Sequence, residues 1–373
     1  MAEHLAPCSS GYREHPRPCH GPPLASRCVS EIDVFRPVVG ATPPPAGLSA
    51  APEGSLGPGG WATAPPPGDL AAASALMDAS MAANTIRAYA RDWRAWTAYA
   101  GAHGLQPLPA EPAHVCAFLA AYSTGRKATT TQRAAMAIGK AHRLAGLANP
   151  VDHEHVRRTL AGLRRTKGTA PRQARPLGTG DIQLLAAVTG DTLRGRRDRA
   201  LLLVGYVGAF RRSELAALNA EDLEARPEGL LVHVRRSKTD PDGRGRHKTL
   251  PYAGAHPELC PVGAVRAWQQ AAGIFDGPLW RPVHRNGHSL LDQRLGVDAI
   301  ADIITRLAVT AGLDPDRITP HSLRAGHVTE AKRHDAPDLA VMNQTHHARI
   351  ESLHGYVRDA DPFRHTSAKF LGL

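Results

Sequence analysis

Six polar residues of the kinds that handle phosphate chemistry follow one another in the second half of the chain: Arg211, Lys238, His321, Arg324, His347 and Tyr356. A phenol, with a free pKa near ~10, is a weak nucleophile at neutral pH. Adjacent cations favour its phenolate and also neutralise the charge that develops on a five-coordinate phosphorus. Arginine, lysine, histidine and tyrosine together therefore suit phosphoryl transfer to a tyrosine oxygen. Each residue also has an ordinary reading. Arg211, in Ala209-Phe210-Arg211-Arg212-Ser213-Glu214-Leu215, emerges from an apolar segment and needs a partner, either Glu214 or a phosphate gripped by its planar fork. Lys238 stands at the end of a hairpin, where a lysine keeps an edge soluble or donates a proton to a leaving oxygen. His321 and Arg324 lie three apart at a helix start and share a face, with Pro320 suited to the first turn and its N–H groups favouring an anion. A lone tyrosine on an amphipathic helix usually fills a core. Only the joint order of the set carries the chemical reading.

The elements that must position these residues fall into two domains, which 373 residues can fill with a core each. Residues 1–70 hold 14 Pro and 9 Gly and read as a disordered arm. Helices follow: one capped by Asn84 or Thr85, with Ile86, Tyr89, Trp93, Trp96 and Ala100 in stripe; one opened by Pro112; one from about Thr130 to Ala145; and one from Asp152 with Val156, Leu160 and Leu163 inward. This gives a four-helix bundle over 71–165. A basic linker, 166–180, leads to a mixed domain over 181–373. There Thr179 or Asp181 caps a helix, an apolar helix runs from Arg199 to Gly208, and Leu230 to Arg235 pairs with His247 to Pro251 across Asp240-Pro241-Asp242-Gly243. The expectation is one β-hairpin in a helical domain. Further helices are expected over Pro261 to Gln270, over Val297 to Ala311, and around His321, Asp338 and Ile350.

Lys plus Arg outnumber Asp plus Glu by 45 to 34, a net charge of +11 that favours a polyanionic partner. The excess is concentrated at Arg157, Arg158, Arg164, Arg165, Lys167, Arg172 and Arg175, with no acid between Val156 and Pro176. Such a strap supplies salt-sensitive phosphate contacts, and two domains joined by it could close around a duplex. Five scattered cysteines without a CxxC pair fit a reducing cytosol. Cys8, Cys19, His20 and Cys28 match no common zinc spacing. The longest apolar run, Ala200 to Phe210, is far short of the ~20 residues of a membrane span.

The segments Phe210-Arg211-Arg212-Ser213-Glu214-Leu215, His321-Ser322-Leu323-Arg324-Ala325-Gly326, Thr345-His346-His347 and Gly355-Tyr356-Val357-Arg358 resemble the sequence boxes of the tyrosine recombinases, or phage integrases, in their Cre-like branch. The helical stretch from Asn84 to Arg165 resembles the core-binding domain, so the likeness spans about 290 residues. It implies a mainly α fold with a small β-hairpin or sheet: a four-helix core-binding domain and a mixed α/β catalytic domain of the DNA breaking-rejoining type. It implies that Tyr356 attacks the scissile phosphate to give a 3′-phosphotyrosine, that Arg211 and Arg324 hold the non-bridging oxygens, and that His347 adds a hydrogen bond. Lys238 becomes the acid for the leaving 5′ oxygen and His321 assists proton transfer. No metal or nucleotide cofactor enters. The implied partner is double-stranded DNA at a specific site, bound by a homo-tetramer on paired sites and a monomer or dimer off DNA, in the cytoplasm with the nucleoid. The tail from Arg358 to Leu373 docks on its own core or on a neighbouring protomer. His346 stands where the family usually has glycine, a place for tight backbone or close DNA approach. A type IB topoisomerase, or a DNA-binding protein that has lost cutting, remains an alternative at this point.

Overall fold

The computed structural model describes residues 80–168, 174–235, 240, 245–347, 349–351 and 353, with 72, 76 and 371 besides. The proline-rich arm, the cysteines and histidine within it, Arg172, Lys238, Tyr356 and nearly all of the tail lie outside the described residues. The chain divides into two compact units, 1–171 and 172–373.

The first unit is a bundle of α1 (Ala83–Ala102), α2 (Pro112–Tyr122), α3 (Ala128–Leu144) and α4 (Glu154–Lys167). Its core is the predicted stripe: Trp93, Trp96 and Ala100 of α1 pack with Val115, Phe118 and Leu119 of α2, Ile138 of α3, and Val156 and Leu160 of α4. Buried polar groups are matched. Trp96 Nε1 donates to Pro107 O at 2.9 Å, and Asp92 accepts from Arg133 Nε at 2.7 Å. His142 donates through Nδ1 to Ile138 O, which leaves Nε2 to accept from Ala110 N at 2.8 Å. Two helix starts differ from expectation. Helix α1 begins one residue before Asn84, with Ala82 in the cap position and no side-chain cap; Asn84 instead accepts from Arg87. Helix α4 begins at Glu154 because Pro150 to Asp152 form a separate 3-10 turn and His153 Nδ1 caps the helix.

The second unit is built on α6 (Leu193–Val207), whose residues Ala200 to Val204 are fully buried. Helix α6 packs against α8 (Pro261–Ala272) and α10 (Pro320–Arg333). Around it lie α5 (Thr179–Ala187), the short α7 (Arg212–Ala217), α9 (Val297–Thr310) and α11 (Asp338–Thr345). Helix α6 starts six residues before Arg199, capped by Thr192 Oγ1. Charge disguises that first stretch in the sequence: Arg197 and Asp198 form a buried pair at 2.7 Å, and Asp198 also accepts from Arg306. The sheet also exceeds expectation. The predicted hairpin of β2 (Gly229–Val234) and β3 (Arg246–Pro251) is joined by β1 (Leu223–Arg226) into a three-stranded antiparallel sheet ordered β1-β2-β3. Leu223-Glu224-Ala225-Arg226 has too little apolar character to announce a strand, and pairing with β2 supplies what propensity does not. No helix among the described residues is long and apolar enough to cross a membrane.

Leu230, Val232 and Val234 of β2 face the core. The residue opposite Val232 on that inward face of β3 is Lys248. The extended chain before α5 runs across α10, where Leu177 N donates to Ser322 O at 3.2 Å. Any Cβ at Gly326 would sit 1.9 Å from Leu177 O, so the crossing itself requires glycine in His321-Ser322-Leu323-Arg324-Ala325-Gly326.

Candidate active site

The turn between α6 and α7 is the hub. Ala209 takes a left-handed conformation (φ 47°), and Phe210 N returns to Gly205 O at 3.1 Å, so the chain reverses within three residues and delivers Arg211 to the cap position of α7. Glu214, in the first turn of α7, is buried. Its carboxylate accepts from Arg211 N at 3.0 Å and from Arg211 Nη1 at 2.6 Å. The partner named in the ordinary reading of Arg211 is thus present, and it orients the guanidinium, which stays 19% exposed.

Arg324 comes from α10 and is only 1% exposed. Its Nη1 donates to Ala209 O at 2.7 Å and its Nη2 to Thr345 O. One guanidinium therefore braces the turn that carries Arg211 against the end of the helix that leads to His347. His321, one turn before Arg324, keeps an edge at the surface. Desolvation and then the charges of Arg324 and Arg211 hold its pKa below the usual histidine value.

His347 follows α11 directly. Thr345 Oγ1 gives its proton to Val341 O at 2.6 Å, so it accepts from His347 Nδ1 at 2.9 Å, and Nε2 is left as the acceptor of the neutral ring. Burial, then Arg324, Arg211, Lys248 and His321, push the His347 pKa down to about 4. The ring is neutral at pH 7, and a phosphate placed among the same cations would favour its protonated, donating form.

His346 caps α11 in the left-handed conformation (φ 56°, ψ 42°). That backbone shape explains why glycine suits the position, and histidine is among the residues that tolerate it. Its ring turns inward to hydrogen-bond through Nε2 with His247 O at 2.9 Å, and burial lowers its pKa to about 4. His346 thus belongs to the support of the site, and His347 faces the cations.

Arg211, His321, Arg324 and His347 are gathered by three elements and one turn. Lys238 and Tyr356 lie outside the described residues, although Leu353, three residues before Tyr356, is buried against Val328 and Val341. Of the basic strap, Arg157, Arg158, Arg164 and Arg165 are exposed along α4. Lys167 turns back to Ser123 O and Arg126 O, and Arg175 pairs with Asp181 at 2.9 Å. Sequence reasoning missed Lys248 and Gln344, which touch the same turn. A lysine at an inward-facing position of an alternating strand was the legible signal. Among the described residues no cluster of histidine, cysteine or carboxylate groups could hold a metal ion.

A pair of oriented arginines with histidines beside them, on a mainly helical frame, can grip the oxygens of a phosphate and exchange protons with it. A model described as the phage integrase family matches residues 181–362, and one described as the phage integrase N-terminal SAM-like domain matches 74–146. An integrase/recombinase XerD homolog of Selenomonas ruminantium is 36% identical over 292 residues, 77% of this chain and 85% of its own length. The tyrosine recombinase XerC of Xanthomonas axonopodis pv. citri is 30% identical over 278 residues, covering 68% of this chain and 80% of its own length. Among solved structures, XerH site-specific recombinase bound to palindromic difH substrate superposes with a TM-score of 0.56 at 14% identity, over 79% of this chain and 82% of that one. A lambda integrase dimer bound to a COC′ core site gives 0.52 at 16% identity, over 74% and 72%. The chain belongs to the phage integrase family of tyrosine recombinases.

Proposed function

We propose that this chain is a site-specific recombinase that cuts and rejoins duplex DNA through a 3′-phosphotyrosine formed on Tyr356. The Tyr356 oxygen bonds to the scissile phosphorus as the bond to the 5′ oxygen breaks. Lys238 gives that oxygen its proton and His321 moves the proton released by the phenol. Arg211 and Arg324 hold the non-bridging oxygens, and His347, protonated once the phosphate charge is among its neighbours, donates a further hydrogen bond. Because the ester to tyrosine keeps the energy of the broken bond, a 5′-hydroxyl can reverse the step without a nucleotide or a metal ion. Residues 71–165 form the core-binding domain, 166–180 a linker and 181–373 the catalytic domain. Arg157, Arg158, Arg164 and Arg165 contact phosphates, a sequence-independent contribution weakened by salt, and Lys167, Arg172 and Arg175 extend the strap. Double-stranded DNA at a defined site is the partner, with a tetramer assembled on paired sites.

The observation that supports this reading is the buried Arg324, bonded to Ala209 O in the turn that carries Arg211 and to Thr345 O two residues before His347. A burial so costly for a cation is justified by what it positions. Glu214, paired with Arg211, and His346, bonded to His247 O and not to the cations, support an active enzyme over a binding protein that has lost cutting. The test is a nicked duplex that traps the cleaved strand. Wild-type protein is expected to form a covalent adduct resistant to denaturant and Tyr356→Phe none; an adduct of equal yield in Tyr356→Phe would remove Tyr356 from the role.

A further inference from the structure

We propose that Lys248, which the reaction scheme above does not use, is a positioning residue that locks the two walls of the phosphate clamp to strand β3. The inference rests on the recombinase reading. Lys248 is 1% exposed, and its ammonium donates to Gly208 O at 2.9 Å, Ala209 O at 3.3 Å and Gln344 O at 2.6 Å. All three protons are thereby engaged, and the charge also lies 5.0 Å from the centre of the Phe210 ring. The first two carbonyls belong to the turn that presents Arg211. The third belongs to the last turn of α11, just before Thr345, His346 and His347. One side chain thus joins two segments more than 130 residues apart.

Its neighbours reinforce the same join. Gln344 Nε2 donates to Val207 O at 3.0 Å and to Thr249 O at 2.7 Å, while its Oε1 accepts from Thr249 N at 3.3 Å. His346 reaches His247 O, and Arg324 shares Ala209 O with Lys248. Three successive residues of β3 therefore each hold the end of α11, and Lys248 and Gln344 extend the hold to the Arg211 turn.

A purely structural role predicts a different residue. The inward face of the sheet here is Leu230, Val232, Val234 and Leu250, so an apolar side chain opposite Val232 would complete the core. An apolar residue would also spare the cost of taking an ammonium out of water, which carbonyl partners offset only in part. Burial also pushes the Lys248 pKa down to about 7, with Glu214 opposing the shift and Arg324 and Arg211 adding to it. What an apolar residue cannot do is bond three carbonyls and so fix where Arg211 and His347 stand. Nor is Lys248 placed as the acid of the reaction, since its protons point into the protein.

Lys248→Met separates these roles in the full-length protein. Melting temperature is expected to change by no more than a few degrees, since relief of the buried ammonium offsets the carbonyls left without its protons, and DNA affinity to stay within about twofold, while adduct formation slows by roughly 10²-fold, the scale of a ~1 Å misplacement of catalytic groups. A second substrate carries sulfur at the bridging 5′ position. Its thiolate leaves without a proton, so it is expected to rescue Lys238→Ala but not Lys248→Met. Rescue of Lys248→Met by the sulfur substrate would make Lys248 an acid, and an unchanged cleavage rate would make it mere packing; either overturns the proposal. Should Lys248→Met fail to fold, Gln344→Leu tests the same lock: slower cleavage on both substrates supports it and wild-type rates overturn it. Absence of any adduct with wild-type protein would instead sink the recombinase reading.

Discussion

Replacing Glu214 by glutamine removes one negative charge from a carboxylate that is 1% exposed and bonded to both ends of Arg211. Glutamine keeps the shape and one acceptor, so the backbone N–H of Arg211 retains a partner. What is lost is the difference between a charge-assisted bond, about 1.5–3 kcal/mol, and a neutral one, about 0.5–1.5 kcal/mol, together with part of the attraction across 2.6 Å. Arg211 is 19% exposed and recovers some hydration, which places the net loss at about 2 kcal/mol. For a unit of some 200 residues this lowers the melting temperature by about 4–8 °C. The guanidinium is also released from its fixed direction, with an expected ~10²-fold slower adduct formation at saturating DNA. Arg211→Gln alone strands the buried carboxylate and is expected to destabilise by more, about 3–5 kcal/mol. The double variant Arg211→Gln/Glu214→Gln then regains stability relative to Arg211→Gln while cleaving no faster. Melting curves and single-turnover cleavage of a nicked substrate measure both halves of this cycle. A double variant no more stable than Arg211→Gln, or a Glu214→Gln protein with wild-type cleavage, would refute the idea that Glu214 holds Arg211 for chemistry.

Acid should weaken the catalytic unit well above the carboxylate range. His327, His346 and His347 each have a pKa of about 4 in the fold, chiefly through burial, against an ordinary value near ~6.5. Between those values the unfolded chain binds more protons, so stability rises with pH and is lost as pH falls from about 6.5 toward 4. Melting temperature is expected to drop between pH 7 and pH 5, and a flat profile there would contradict the burial of these rings. His346→Gly tests the left-handed cap: relief of about 1 kcal/mol of backbone strain offsets the lost bond to His247 O. Stability within ~1 kcal/mol of wild type, a shallower loss on acidification and undiminished cleavage are expected; a tenfold slower cleavage would show that the imidazole itself is needed.

Where the sequence was legible, the reason was periodicity or an unusual residue type. Trp93, Trp96, Phe118 and Ile138 announce the bundle because an apolar stripe at helical spacing can be buried only one way. The alternation through Leu250 announces β3 for the same reason. Arg211, His321, Arg324 and His347 are readable because arginine and histidine beside apolar segments are costly unless used. The rest was hidden by tertiary compensation. Strand β1 exists because β2 pairs with it, and the first turns of α6 exist because Arg197 and Asp198 neutralise each other in the interior. Gln344 joins the site through bonds to Val207 and Thr249, residues remote in sequence that no local pattern connects.

The way the cations are housed explains how such a site can exist before DNA arrives. Arg324 and Lys248 are buried with carbonyl oxygens as their partners, and Glu214 is the carboxylate bonded to Arg211. Carbonyl dipoles satisfy donors without cancelling charge, so the pocket keeps a strong positive potential while Arg324 and the Lys248 ammonium are hydrogen-bonded. Burial first, and that potential second, keep His347 unprotonated. A carboxylate partner for Arg324 would be cheaper to bury but would compete with phosphate. On the proposed mechanism, carbonyl ligation preserves the charge for the scissile phosphodiester, whose arrival would both balance the cations and favour the protonated His347 that donates.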